Sequence, residues 1–140
     1  MIKIYLDASV IVPAMLSPVG GSAKLIRLIK LGLFVGITSQ NVVEEIERNS
    51  VKINKSTQEI REFIQENKIL IRKKISLSDL DEYKGMVDIK DAHIVAGAKL
   101  TKCDYLVTLD KKHLLRKDIQ QKFMPLKIVS PKELLEQIIK

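Results

Sequence analysis

Short, continuous apolar runs that alternate with helix-forming segments constrain the fold of this 140-residue chain more than any other feature. Strands without polar alternation are typical of parallel sheets that are covered on both faces. The pattern therefore predicts one domain over residues 1–140, an α/β fold in which a three-layer α/β/α sandwich encloses a mostly parallel, five-stranded sheet. The predicted strands are 2–6, 33–38, 69–72, 104–109 and 126–130, and the predicted helices are 10–16, 22–32, 39–53, 57–68, 91–102 and 131–139, with a helical turn at 79–85.

Residues that favour helix starts mark the expected beginnings of three of these helices. Ser39 is a candidate N-cap and Pro131 suits a first helical turn. Asp88 and Asp91, three residues apart, resemble the two halves of a capping box at the start of the Ala-rich helix. Capping is therefore one interpretation of Asp88, and a role in a functional site is the other.

Several carboxylates follow predicted strands or begin the helices after them. Because ligands bind outside the carboxyl ends of parallel strands, we expect these side chains to meet at one edge of the sheet. A cluster of this kind repels itself, and a hard cation such as Mg²⁺ or Mn²⁺ relieves that repulsion. The acids come from four distant parts of the sequence: Asp7, the pair Glu44 and Glu45, the pair Asp88 and Asp91, and Asp110.

The charge of the chain favours a polyanionic partner. The formal net charge is +7 and the pI is about 9.5, although a lysine-rich, solvated surface would give the same values. Only six aromatic residues are present, three Tyr and three Phe, which argues against binding mainly by base stacking. Lys90, Lys111 and Lys112 lie near the acids and are candidates for phosphate contacts, while plain solvated charge is the alternative for each.

The remaining titratable residues point to no other chemistry. His93 and His113 lack zinc-ligand spacing, so no catalytic role is predicted for either histidine. The single cysteine, Cys103, cannot form an internal disulfide and is expected to be buried, which suits a reducing, cytoplasmic location. No apolar run reaches 18 residues, so no membrane span is expected.

Four segments together resemble the PIN domain family, which includes the VapC-type toxins. They are "IYLDASVIVPAML", "TSQNVVEEIERN", "DIKDAHIVAGAKLTKCDYLVTLDKKHL" and "LKIVSPKELLE", and they cover nearly the whole chain. The third segment is the most specific, because an Asp opens a small-residue helix and a strand then ends in T-x-D. The resemblance implies a Mg²⁺- or Mn²⁺-dependent ribonuclease that hydrolyses RNA phosphodiester bonds.

The resemblance also implies the site residues, both as catalytic groups and as metal ligands. Matched by motif, the four acids are Asp7, Glu45, Asp91 and Asp110, with Glu44 as the fallback for Glu45 and Asp88 as an assisting ligand. Glu45 is preferred because it lies six residues after Ser39 in the T-S-x-x-x-x-x-E pattern. Ser9 and Thr108 match small hydroxyl positions near the site.

Other functions fit the sequence less well or stay open. A haloacid dehalogenase-type phosphatase needs a second Asp two residues after the first, where this chain has Ser9, and a phosphorelay receiver needs paired acids after the first strand. A non-catalytic PIN-like scaffold that binds RNA or protein stays open. The resemblance further suggests an antitoxin protein as a partner and a homodimer, for which the apolar helix 10–16 is a candidate surface.

Overall fold

Five short strands form a single sheet in the computed structural model of the chain, which describes residues 1–138. The strands lie in the order β3-β2-β1-β4-β5, and every neighbouring pair is parallel. The predicted α/β fold is confirmed, and the sheet is parallel throughout rather than mostly parallel. The strands are β1 (Lys3–Leu6), β2 (Val35–Ser39), β3 (Leu70–Arg72), β4 (Tyr105–Val107) and β5 (Lys127–Val129).

Helices connect the strands as the sequence pattern predicts. Ser39 caps the helix after β2, because its Oγ accepts a hydrogen bond of 3.3 Å from Val42 N. Pro131 is the first residue of the last helix, whose predicted end at 139 lies outside the described residues. The helices are α1 (Ala8–Leu16), α2 (Gly21–Lys30), α3 (Gln40–Arg48), α4 (Ser50–Ile53), α5 (Thr57–Glu66), α6 (Leu77–Leu80) with a 3-10 turn (Asp81–Tyr83), α7 (Ala92–Leu100), α8 (Lys117–Lys122) and α9 (Pro131–Ile138).

Two helical segments differ from the prediction. The segment 39–53 is broken between α3 and α4 at Asn49, whose backbone has φ −102° and ψ 14° and whose side chain donates to the Glu45 carbonyl. Helix α8 is not predicted, because Ile119 is its one buried residue and a single apolar position shows no helical period.

Helices lie on both faces of the sheet. Gly36 of β2 faces Ile29 of α2, and Gly97 of α7 lies so close to the Tyr5 ring that an added Cβ would overlap it. Ile4 is the register partner of Gly36, and successive residues of a strand point to opposite faces, so Tyr5 faces away from α2. Helices α2 and α7 therefore cover opposite faces, which gives the three layers.

The order of the strands reverses beside β1. From β1 the chain proceeds to β2 on one side and later returns to β4 on the other. Such a switch point leaves a crevice at the carboxyl ends of the two diverging strands, where α/β proteins bind ligands. The residues that follow Leu6 and Val107 lie at this crevice.

Among residues 1–138, no single helix is long and apolar enough to cross a membrane. Helices α1 and α2 meet the requirements of length and composition only when they are counted together, and they are bent by 93° to one another.

Candidate active site

Asp7 directly follows β1 and is a buried carboxylate with two hydroxyl donors. It is 6% exposed, and its Oδ2 accepts hydrogen bonds from Ser9 Oγ at 2.8 Å and Thr108 Oγ1 at 2.7 Å. Asp7 occupies the N-cap position of α1, yet its side chain caps no backbone N–H. The carboxylate is therefore held toward the crevice by the two small hydroxyl residues that the sequence places near the site.

Thr108 connects Asp7 to the loop that carries Asp110. Its Oγ1 also accepts a hydrogen bond of 3.1 Å from Asp110 N, and Ser9 Oγ accepts one of 2.9 Å from Leu109 N. These bonds tie the residues after β4 to the residues after β1. The relative positions of two acids that are distant in sequence are thus set by hydroxyl groups between them.

Asp91, Asp110 and His113 form the tightest group of ligand atoms in residues 1–138. One oxygen or nitrogen atom from each lies within 4.8 Å of the other two. Asp91 is the N-cap residue of α7, and Asp110 begins the turn that leads to His113. Asp7 lies outside this group of three.

The negative charges of the acids reach one another at this edge. The pKa of Asp91 is raised to about 6, first by burial and then by the charges of Asp110, Asp7 and Asp88, while His113 acts in the opposite direction. The three neighbouring carboxylates therefore lie near enough to Asp91 to disfavour its charged form. The structure therefore brings the predicted acids into one electrostatic cluster.

Glu45, rather than Glu44, faces this cluster. Burial raises the pKa of Glu45, and the charges of Asp7 and Asp91 add to the effect, while Arg48 opposes it. The Glu44 carboxylate instead lies 3.3 Å from Lys74 Nζ and 3.4 Å from Gln40 Nε2. The two neighbouring glutamates on α3 thus point to different surroundings, and Glu45 is the one beside the other acids.

Asp88 does not cap α7. Its Oδ1 accepts a hydrogen bond of 2.9 Å from Lys90 N, and its carbonyl accepts one from Asp91 N. Asp91 itself holds the N-cap position and makes no side-chain cap bond, so the predicted capping box is wrong. Asp88 shapes the turn before α7 instead, and its exposed carboxylate contributes charge next to Asp91.

The two histidines have different surroundings. His113, to which no role was assigned from the sequence, contacts Asp110 twice: its N–H donates to Oδ1 at 3.1 Å, and its Nδ1 lies 3.2 Å from Oδ2. The signal that identifies it is the D-x-x-H spacing of Asp110 and His113 in a turn, which brings the side chains together. His93 is half-buried on α7, and burial lowers its pKa.

Two clefts reach the acids from different elements of the fold. One, of about 370 Å³, is lined by Ser9, Glu45 and Lys52 together with apolar residues of α1, α3 and α4. The other, of about 320 Å³, is lined by residues that include Asp88 and His113. Exposed lysines flank the acids in the chain: Lys90, Lys111 and Lys112. An extended anionic ligand could lie along this edge.

The donor atoms at this edge fit a hard divalent cation. Carboxylate oxygens are the ligands that Mg²⁺ and Mn²⁺ prefer. The raised pKa of Asp91 reflects its burial together with repulsion from the neighbouring acids, and a bound cation would offset both. Asp91 and Asp110 are close enough to share one ion, and Asp7 and Glu45 are the further candidate ligands.

A solved structure resembles the fold over almost its full length. The crystal structure of PAE2754 from Pyrobaculum aerophilum has a TM-score of 0.61 to the chain, covering 97% of this chain and 88% of that one. The sequence identity is 12%, so the likeness supports the fold alone. No curated protein sequence matches the chain.

The match to a family model is more informative about the family of the chain than this structural likeness. The model described as PIN domain matches residues 3–112, most of the chain, including Asp7, Glu45, Asp91 and Asp110. The parallel sheet and the acidic cluster at its carboxyl edge agree with this match. The chain therefore belongs to the PIN domain family, whose members are generally nucleases.

Proposed function

We propose that the protein is a Mg²⁺- or Mn²⁺-dependent endoribonuclease. The observation that carries the proposal is the meeting of Asp91 and Asp110 within 4.8 Å at the switch point of the sheet. Asp7 lies at the same edge, where its charge raises the pKa of Asp91. Acids from three distant parts of the sequence thus converge where an α/β fold binds its ligands.

RNA is the proposed substrate because the protein combines this acidic site with a basic surface. The net charge of +7 attracts a polyanion, while the acids accept it only through a bound cation. The clefts that Glu45 and His113 help to line are candidate surfaces for an extended strand. The resemblance to VapC-type toxins supports RNA rather than DNA.

The reaction we propose is hydrolysis of a phosphodiester bond. Asp7, Glu45, Asp91 and Asp110 would hold the cation, which when bound polarises the phosphate and lowers the pKa of a water molecule. Ser9 and Thr108 hold Asp7 in place, and Asp110 is suited to orient the attacking water. Water attacks phosphorus, the bond to the 3′ oxygen breaks, and that oxygen takes up a proton.

Cleavage of a mixed pool of single-stranded and structured RNA tests this proposal. We expect cutting with Mn²⁺ or Mg²⁺, none with EDTA, and products that carry a 5′-phosphate and a 3′-hydroxyl. Products ending in a 2′,3′-cyclic phosphate would indicate attack by the ribose 2′ oxygen and would contradict hydrolysis by water. Absence of both cutting and Mn²⁺ binding would favour the alternative function, a PIN-like scaffold that binds RNA or protein.

We further propose that the protein acts in the cytoplasm as the toxin of a toxin–antitoxin pair. The support is the resemblance of its segments to VapC-type toxins, together with the single cysteine, which suits a reducing compartment. A small antitoxin would cover the acidic edge, and a homodimer would use α1, where Pro13 and Leu16 are exposed. Growth arrest on expression, relieved by the product of a neighbouring small reading frame, would support this role. Unchanged growth would contradict it.

A further inference from the structure

The turn after β4 brings a nitrogen ligand into an otherwise carboxylate site. His113 Nδ1 lies 3.2 Å from Asp110 Oδ2, and an atom of His113 lies within 4.8 Å of ligand atoms of both Asp91 and Asp110. The backbone N–H of His113 holds the other oxygen of Asp110 at 3.1 Å. Residue 113 therefore fixes both the position of the Asp110 carboxylate and that of its own ring.

The separation of these atoms suits two ligands of one ion. Ligands at right angles on an octahedral ion, each about 2.1 Å from it, lie about 3 Å apart. The 3.2 Å between Nδ1 and Oδ2 is close to this value, so the pair could share an ion after a small adjustment. The side chain of His113 is 49% exposed, which leaves the ring room to make that adjustment.

We propose that His113 is a ligand of the catalytic cation, together with Asp91 and Asp110, and that it makes the site prefer Mn²⁺ to Mg²⁺. The inference rests on the proposed function, because it concerns the same site. Mg²⁺ binds almost entirely through oxygen, whereas first-row transition ions also accept imidazole nitrogen. A mixed site of two carboxylates and one imidazole therefore holds Mn²⁺ more tightly than an all-carboxylate site does.

The test measures metal binding, independently of cleavage. Dissociation constants for Mn²⁺ and Mg²⁺ are compared by calorimetry in the wild type, His113→Ala and His113→Gln. Glutamine keeps a donor that can reach Asp110 but is a poor metal ligand. This variant therefore distinguishes loss of metal coordination from loss of the contact that positions the Asp110 carboxylate. We expect both variants to bind Mn²⁺ about tenfold more weakly than the wild type, with Mg²⁺ binding changed less than twofold.

Pulsed electron paramagnetic resonance of bound Mn²⁺ gives a second readout. A directly coordinated imidazole produces a ¹⁴N coupling, and the chain has only two histidines, so loss of the coupling in His113→Gln assigns it to His113. Absence of the coupling in the wild type, or full Mn²⁺ affinity in His113→Gln, would overturn the inference and leave the acidic site intact. Failure of the wild type to bind Mn²⁺ at all would overturn the inference and the proposed nuclease together.

Discussion

Thr108 Oγ1 and Asp7 Oδ2 lie 2.7 Å apart although 101 residues separate them in the sequence. The hydroxyl donates to a buried carboxylate and at the same time accepts from Asp110 N. One side chain thus couples the acid after β1 to the acid after β4. The relationship explains why a fully buried threonine lies at the end of a strand in this fold.

Thr108→Val should therefore disturb both acids. Valine has nearly the same shape but neither donates to Asp7 nor accepts from Asp110, and an unsatisfied buried group costs about 1–3 kcal/mol. We expect the free energy of unfolding to fall by about that amount and Mn²⁺ affinity to fall about tenfold. Chemical denaturation and calorimetry measure the two effects.

Thr38→Val is the matched control. Thr38 is also fully buried, but its hydroxyl donates to the Leu6 carbonyl rather than to a carboxylate. Thr38→Val should lose about as much stability as Thr108→Val but keep the Mn²⁺ affinity of the wild type. Equal loss of affinity in the two variants would contradict the role given to Thr108.

The two adjacent glutamates of α3 offer a direct comparison. Glu45→Gln should lower the rate of RNA cleavage at least about a hundredfold, because Glu45 lies beside Asp7 and Asp91. Glu44→Gln should stay within about twofold of the wild type, because Glu44 contacts Lys74 and Gln40 instead. Initial cleavage rates under saturating Mn²⁺ measure the difference. A lower rate for Glu44→Gln than for Glu45→Gln would contradict the placement of Glu45 among the acids of the site.

Stability without metal should depend on Asp91. Its pKa is raised to about 6, so between about pH 4 and pH 6 the folded state holds a proton that the unfolded state releases. The free energy of unfolding therefore falls as pH rises through this window. Asp91→Asn removes the penalty and should raise the melting temperature at pH 8 in EDTA by about 3 °C, on the order of 1 kcal/mol after solvent screening.

The gain from Asp91→Asn should shrink toward zero near pH 4, where the wild-type carboxyl is already protonated in the folded state. Thermal unfolding followed by circular dichroism at several pH values measures this trend. A gain that stayed constant with pH would show that packing, rather than the buried charge of Asp91, is its cause.

Mn²⁺ binding should have the opposite pH dependence. The cation requires an ionised Asp91, whose pKa is about 6, so affinity should rise about tenfold between pH 5 and pH 7 in His113→Gln, where no imidazole at this position coordinates the ion. Calorimetric titrations across this range measure the rise. A flat profile would mean that Asp91 is not a ligand.

The close approach of α7 to the sheet can be tested by a glycine substitution. Gly97→Ala adds a Cβ that overlaps the buried Tyr5 ring, and overpacking of this kind costs about 1–3 kcal/mol. Gly36→Ala meets the end of the flexible Ile29 side chain instead and should cost less. Urea denaturation of both variants compares the costs, and equal stabilities would contradict the described packing.

The fold was largely predictable because each strand is a short run buried on both faces. Predicted strands exceed the observed ones by one to three residues, since flanking residues such as Leu109 share the apolar character of the strand without pairing. The break at Asn49 depends on a side-chain bond to the Glu45 carbonyl, and α8 depends on one buried side chain, Ile119. Neither feature leaves a periodic signal.

The sequence predicts the meeting of the acids at one sheet edge but not the contacts between them, and their role as metal ligands stays a prediction. Motif spacing selects Glu45 over Glu44, and Glu45 is the one of the two that lies near Asp7 and Asp91. The contact of His113 with Asp110 depends on the turn that follows β4, and the local structure of Asp88 depends on a bond to Lys90 N. Contacts of this kind arise from backbone geometry that residue types alone do not determine.

The most direct test of the account is Mn²⁺-dependent RNA cleavage by the wild type, Asp7→Asn and Asp91→Asn, each with its fold checked by circular dichroism. Asparagine keeps the shape of each side chain but removes the charge that holds the cation. We predict cleavage by the wild type, and loss of at least about a thousandfold in rate in both folded variants. Full activity in either variant would contradict the assignment of the acidic cluster as the active site.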